Sequence, residues 1–324
     1  MSNMGHFNFY YDETEHSRKI NHRTVSASNY HDDFITAAVG WDKLDEVEIE
    51  AKFRIFEERY SRRMTGNELK STTIKQGQLK NGFASLSKNT AALMSDFFDL
   101  FDERVFVYLS AFSKTEYVVR QVLAGYKNSP FADMDLLKYS VTKAIVTCRP
   151  KEVIQSLYAG PEEFLESLKD FLRLKIEADK TNIELKNREI EQFECILLLL
   201  EDAEPIKTLD WNYDSTLATL KAFLQEKFMS EYSLIIDREA RTAESARNLG
   251  FKNVSEGNSK ELFALRMADL LAGIAAKLMK AMAKALAYRS AADEVRKSLL
   301  DVGWFELTEE RLALYKKLHR IVMQ

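Results

Sequence analysis

His6-Phe-Asn-Phe-Tyr-Tyr-Asp12 is an apolar, aromatic-rich run that ends in two acids, Asp12 and Glu13. Short apolar runs of this kind predict a β-strand. The same character returns in Phe34-Ile-Thr-Ala-Ala-Val-Gly-Trp41, in Arg104-Val-Phe-Val-Tyr-Leu-Ser110 and in Tyr232-Ser-Leu-Ile-Ile-Asp237. A short polar stretch, residues 24–29, reads as the outgoing arm of a hairpin. Between the strands the period changes. Val47, Phe53, Ile55, Phe56 and Tyr60, set among charges, predict a helix that ends by Thr65-Gly66. Helices are also expected over 85–102, 259–289 and 309–322. The pattern predicts an α/β protein whose sheet is interrupted by a large all-helical insertion, longer than an ordinary connection.

That insertion occupies 129–229, and 1–128 with 230–324 form the core around it. Its longest helix is expected over about 162–202, opened by Pro161 after Gly160. Ile176, Ile183, Ile190 and Leu197 recur at seven-residue intervals; Leu165, Leu168, Leu172, Phe193 and Leu200 partly fill the other seam position. Asp179 and Lys186 interrupt the stripe. So narrow an apolar stripe has to be buried against a partner helix. The expected partner is the return helix 214–228 after Pro205, with a dimer seam as the alternative.

Bulk composition removes several function classes. A net charge of −4 excludes the blanket basicity of a histone-like binder, so any nucleic-acid contact must come from local patches. Cys148 and Cys195 have no CxxC spacing, which excludes a zinc ribbon and suits a reducing compartment. There is no apolar N-terminal segment of signal-peptide type. The apolar run 262–287 carries Arg266, Asp269, Lys277, Lys280 and Lys284, which predicts a core helix in place of a membrane span. A cytoplasmic protein without membrane partners is expected.

Four acids stand where carboxylates are unexpected. Asp12 and Asp237 each end an apolar strand, where ligand sites gather in open α/β sheets. Asp269 lies among Leu265, Met267, Ala268, Leu270, Leu271 and Ala272, an apolar setting that makes a carboxylate costly unless something positive satisfies it. Two readings of it stay open: an ion pair with Arg266, three residues earlier, or a metal ligand. Glu68 sits in Gly66-Asn-Glu-Leu-Lys70. Converging carboxylates repel one another, so such a cluster suits a divalent cation, and Mg²⁺ or Mn²⁺ prefers oxygen ligands. The histidines offer no competing zinc spacing.

Around Glu68 the chain is basic: Arg59, Arg62, Arg63, Lys70, Lys75, Lys80 and Lys88 surround this single acid over residues 59–88. The pattern fits a phosphate-tracking surface with a metal ligand inside it. Gln76-Gly77-Gln78 and Asn81-Gly82 suggest a mobile loop, and Arg18 and Lys19 extend the positive rim beyond Asp12.

Taken in order, four motifs resemble a known group. Phe9-Tyr-Tyr-Asp-Glu-Thr14, Asn67-Glu-Leu-Lys70, Leu234-Ile-Ile-Asp237 and Leu265-Arg-Met-Ala-Asp-Leu-Leu-Ala-Gly273 are similar to the motifs of the bacterial domain-of-unknown-function family 3800. The resemblance covers about 5–125 and 230–285, outside the helical block. It departs at Thr14, where Ser is usual, at Glu15, where Gly is, and at Arg266, which replaces Gln. It implies an RNase H-like fold and a metal-dependent nuclease of DNA or RNA, in a family often associated with mobile elements and anti-phage systems. In that reading Asp12 bridges Mg²⁺ or Mn²⁺ ions, Asp269 and Glu68 complete the site, Asp237 flanks it, and Lys70 holds a substrate phosphate or orients water. The alternative is an inactive RNase H-like scaffold whose helical insertion engages a second copy or a protein partner.

Overall fold

The strands of the computed structural model are β1 (Phe7–Thr14), β2 (Asp33–Asp42), β3 (Lys80–Phe83), β4 (Phe106–Ser113), β5 (Tyr232–Asp237) and β6 (Val254–Gly257). The structure describes residues 6–14, 31–130, 133–156, 159–201, 214–288 and 299–323. Five strands make one mixed sheet in the order β4-β2-β1-β5-β6. β2 runs antiparallel to both β1 and β4, whereas β5 runs parallel to both β1 and β6. The expected hairpin arm 24–29 lies outside the described residues, as do Arg18 and Lys19.

The helices are α1 (Glu46–Arg59), α2 (Lys88–Phe98), α3 (Lys114–Val122), α4 (Met134–Cys148), α5 (Lys151–Ser156) and α6 (Pro161–Asp179). They continue as α7 (Ile183–Glu201), α8 (Asp214–Glu226), α9 (Ala240–Asn248), α10 (Phe263–Ala285) and α11 (Glu309–Met323). Side chains alternate across a strand, so each face of the sheet collects its own core. Tyr10, Ile35, Ala37, Val39 and Trp41 face α1, α2, α10 and α11. Phe9, Tyr11, Phe34, Ala38, Leu234 and Ile236 face the other way, onto Leu217, Leu220 and Leu224 of α8 and Ala243 and Ala246 of α9. Covering both faces is what allows β2 to be buried along nearly its whole length.

A third, separate core belongs to α3–α7. The helix expected over 162–202 is two helices, joined by a 3₁₀ turn at Lys180–Asn182. Pro161 does open the first of them. Phe164, Leu168, Leu172 and Ile176 of α6 share a core with Ile190, Phe193, Ile196 and Leu200 of α7, while Ile183, a member of the expected stripe, is exposed. The break therefore lets each half bury the other's apolar stripe. The expected partner, α8, packs on the sheet instead. Its Leu217, Leu220 and Leu224 match the apolar face presented by Phe9 and Tyr11. No helix among the described residues is long and apolar enough to cross a membrane.

Candidate active site

Strand register places the first two acids side by side. In the parallel pair Tyr11 stands opposite Ile236, so the next residues along, Asp12 and Asp237, lie side by side, Asp237 at the end of β5 and Asp12 two residues before the end of β1. Tyr11 and Ile236 face the α8–α9 side, which turns Asp12 and Asp237 to the opposite side, toward α10. Glu13, which follows Asp12 in the sequence, points with Tyr11 to the other face and meets the Thr242 hydroxyl at 3.5 Å.

Helix α10 crosses β1 and β2 on that side and supplies Asp269. Its carboxylate is held at both oxygens by one residue. The Ser71 N–H donates to Oδ2 at 2.8 Å, and the Ser71 hydroxyl donates to Oδ1 at 3.0 Å. Gly273, one helical turn after Asp269, makes this possible, because a Cβ there would collide with the Ser71 side chain. The Asp-Leu-Leu-Ala-Gly segment thus carries an acid and the cleft that seats the acid's orienting partner.

Glu68 arrives from a tight turn. Thr65 and Glu68 exchange backbone hydrogen bonds across Gly66 and Asn67, both with positive φ near 60°, as a two-residue reversal of the chain requires. This reversal buries Glu68 to 4% exposure. Lys70 Nζ lies 3.0 Å from Glu68 Oε2, while Glu68 Oε1 is buried with no hydrogen-bond partner. The surrounding loop is anchored to the core at several points. Leu69, Ile74 and Leu79 are fully buried, three 3₁₀ turns order it, and Gln76 donates to the Lys277 carbonyl of α10 at 2.9 Å.

Electrostatics link neighbouring acids pair by pair. Burial, and then the nearby charge of Asp269, push the Asp12 carboxyl well above the usual carboxylate range, and Asp237 adds to the effect. Burial likewise raises Asp237, with Asp269 and Glu68 adding and with the Ser259 N–H, 3.3 Å from its Oδ1, and Lys70 opposing. Lys70 is raised first by its bond to Glu68, and it senses Asp269 and Asp237 as well. The charges are thus linked in sequence: Asp12 with Asp269 and Asp237, and Asp237 and Lys70 with Asp269, Glu68 and each other.

Other expected residues lie apart from that cluster. Arg266 does not neutralise Asp269; its guanidinium forms a two-pronged pair with Glu57 at 2.8 and 2.7 Å, donates to the Ser259 carbonyl at 2.6 Å and rests over Phe53. Three residues along a helix bring two side chains near in angle, but Arg266 is long enough to reach α1. Arg59 is paired with Asp96 at 2.7 Å. Arg62, Lys75 and Lys80 are exposed and Arg63 partly so. Ser71 and Ser259 carry no sequence signal beyond ordinary polarity, and only the fold reveals their contacts with the acids.

Each carboxylate is engaged by the protein's own donors, and among the described residues no three His, Cys, Asp or Glu side chains stand as a ready set of metal ligands. Nevertheless, the buried, partnerless Glu68 Oε1 and the mutual repulsion of its neighbours fit a hard cation bound by oxygen. Hydrogen bonds at the Asp269 oxygens use one lone pair each and leave another for a cation. No family model, curated protein or solved structure matches the chain.

Proposed function

We propose that the protein is a divalent-metal-dependent nuclease that hydrolyses phosphodiester bonds of DNA or RNA. The observation that carries this reading is the linked charges of acids from four separate segments, Asp12 with Asp237 and Asp269, and Asp237 with Glu68, whose buried Oε1 has no partner. Carboxylates are not collected in this way for stability, since like charges drawn together in a low-dielectric site oppose folding. The mixed sheet, three antiparallel strands continued by two parallel ones with Asp12 near the C-terminal end of the central strand, supports an RNase H-like core. Membership of family 3800, with its link to mobile elements and anti-phage systems, rests on the four motifs.

Asp12, Glu68 and Asp269 would hold Mg²⁺ or Mn²⁺, with Asp237 at its flank. When bound, such an ion polarises a phosphoryl oxygen and favours hydroxide over water. Ser71 fixes the direction of the Asp269 carboxylate. Lys70, partly exposed beside the acids, is placed to receive a substrate phosphate. Arg62, Arg63, Lys75 and Lys80 on the outer loops would track the flanking backbone.

The test is cleavage of labelled DNA and RNA with Mg²⁺ or Mn²⁺, comparing wild type with Asp12→Ala and Asp269→Ala. Loss of at least about a hundredfold in both variants is expected, on the scale of removing a group that stabilises the transition state. Equal cleavage by all three proteins would sink the assignment.

A further inference from the structure

A groove of about 570 Å³, lined by Arg238, Glu256, Gly257, Asn258, Glu261 and Leu262, adjoins Asp237. It is continuous with the site along the backbone. Arg238 follows Asp237, Gly257 pairs with Asp237 in the sheet, and the Ser259 N–H that bonds Asp237 follows Asn258. Its size is that of a small-ligand pocket.

The groove carries both signs of charge. Arg238 is exposed and, unlike Arg59, Arg104 and Arg266, has no carboxylate partner among the described residues. Its φ of 25° is rare for a residue with a side chain, and its N–H is tied to the Gly257 carbonyl at 3.1 Å. The turn that ends β5 therefore places an unneutralised arginine on the groove's wall. Glu256 and Glu261, exposed as Arg238 is, add acceptors to the same wall, with the Asn258 amide donating to Glu261 at 2.8 Å. A phosphate is repelled by those acids and attracted by Arg238. A nucleobase with amino or imino N–H groups suits the acids instead, as carboxylates accept from such edges.

Resting on the nuclease reading, we propose that this groove binds the nucleotide flanking the scissile bond. Arg238 takes that nucleotide's phosphate, and Glu256 with Glu261 reads an amino-bearing base. A base can enter such a groove only when unpaired, so the favoured substrate is single-stranded.

Anisotropy of labelled single-stranded oligonucleotides of uniform base composition, with EDTA present to prevent turnover, tests the subsite. The proteins are wild type, Arg238→Ala, Arg238→Gly, the Glu256→Gln/Glu261→Gln double variant and, as a control, Arg54→Ala on exposed α1. Because glycine accepts the positive φ, Arg238→Gly separates loss of the guanidinium from backbone strain. Both Arg238 variants should bind about tenfold more weakly, with the salt dependence shallower by about one charge. The double variant should lose preference among bases, and Arg54→Ala should match wild type. Unchanged affinity in Arg238→Gly overturns the subsite, and cleavage by wild type in the same preparation would leave the nuclease reading intact. Binding that depends on Arg238 without metal-dependent cleavage would sustain the subsite and remove the nuclease reading. No binding by wild type overturns the subsite.

Discussion

At the residue scale, the decisive property of Asp12 is that its protonated form is favoured by burial and by its acidic neighbours. A carboxyl whose folded pKa is raised makes the folded state hold more protons than the unfolded chain. Its contribution to stability therefore falls as pH rises from the ordinary aspartate value through the raised one. Asp12→Asn removes that loss. Without metal, the variant should be more stable than wild type by on the order of 1 kcal/mol at neutral pH, with the difference shrinking toward about pH 4, the unperturbed aspartate range. Thermal unfolding in EDTA across this range checks it; a variant less stable than wild type at neutral pH would contradict the electrostatic account. Gly273 offers a second check. Gly273→Ala should collide with Ser71, destabilise the fold by about 1–3 kcal/mol and release Asp269 from its two donors, whereas Ser71→Ala removes only the hydroxyl bond and should cost less. Equal stability of the two variants would show that the contact is not tight.

At the element scale, hydrophobic period was informative wherever an element buries one face. β2, β5, α10 and the C-terminal helix α11 lie close to the expected segments, because their apolar spacing reports the core they face. β3 and β6 were not expected: Lys-Asn-Gly-Phe and Val-Ser-Glu-Gly are four residues each and have little β character. The split of the long helix was hidden because the stripes of two helices packed on each other share one heptad rhythm with the stripe of a continuous helix. Only the buried Lys175–Asp179 pair and buried Lys186, flanking the turn, mark the break. Since Phe193 of α7 is buried against α6, Phe193→Ala should cost about 3–5 kcal/mol in chemical denaturation if the hairpin shares the protein's cooperative unit. A loss below about 1 kcal/mol would show that this packing adds little.

At the scale of the whole molecule, the site exists because the C-terminal ends of β1 and β5 lie side by side under α10, and α10 in turn holds the segment after Glu68 through Ser71. The acids at strand ends and on the apolar helix were visible in the sequence as misplaced charges. Their convergence depends on strand register and on Ser71, which no local pattern encodes, and the outward pairing of Arg266 with Glu57 depends on α1. A cation that binds only the folded cluster should stabilise the protein, by about 2.7 kcal/mol at a concentration a hundred times Kd. Binding should release protons and tighten as pH rises, since the raised Asp12 and Asp237 carboxyls must ionise. The most direct measurement is anomalous diffraction from a crystal soaked in Mn²⁺. The account predicts a manganese peak among Asp12, Glu68 and Asp269, with Asp237 beside it. An empty cluster at millimolar Mn²⁺, with these side chains still bonded to Ser71 and Lys70, would contradict it.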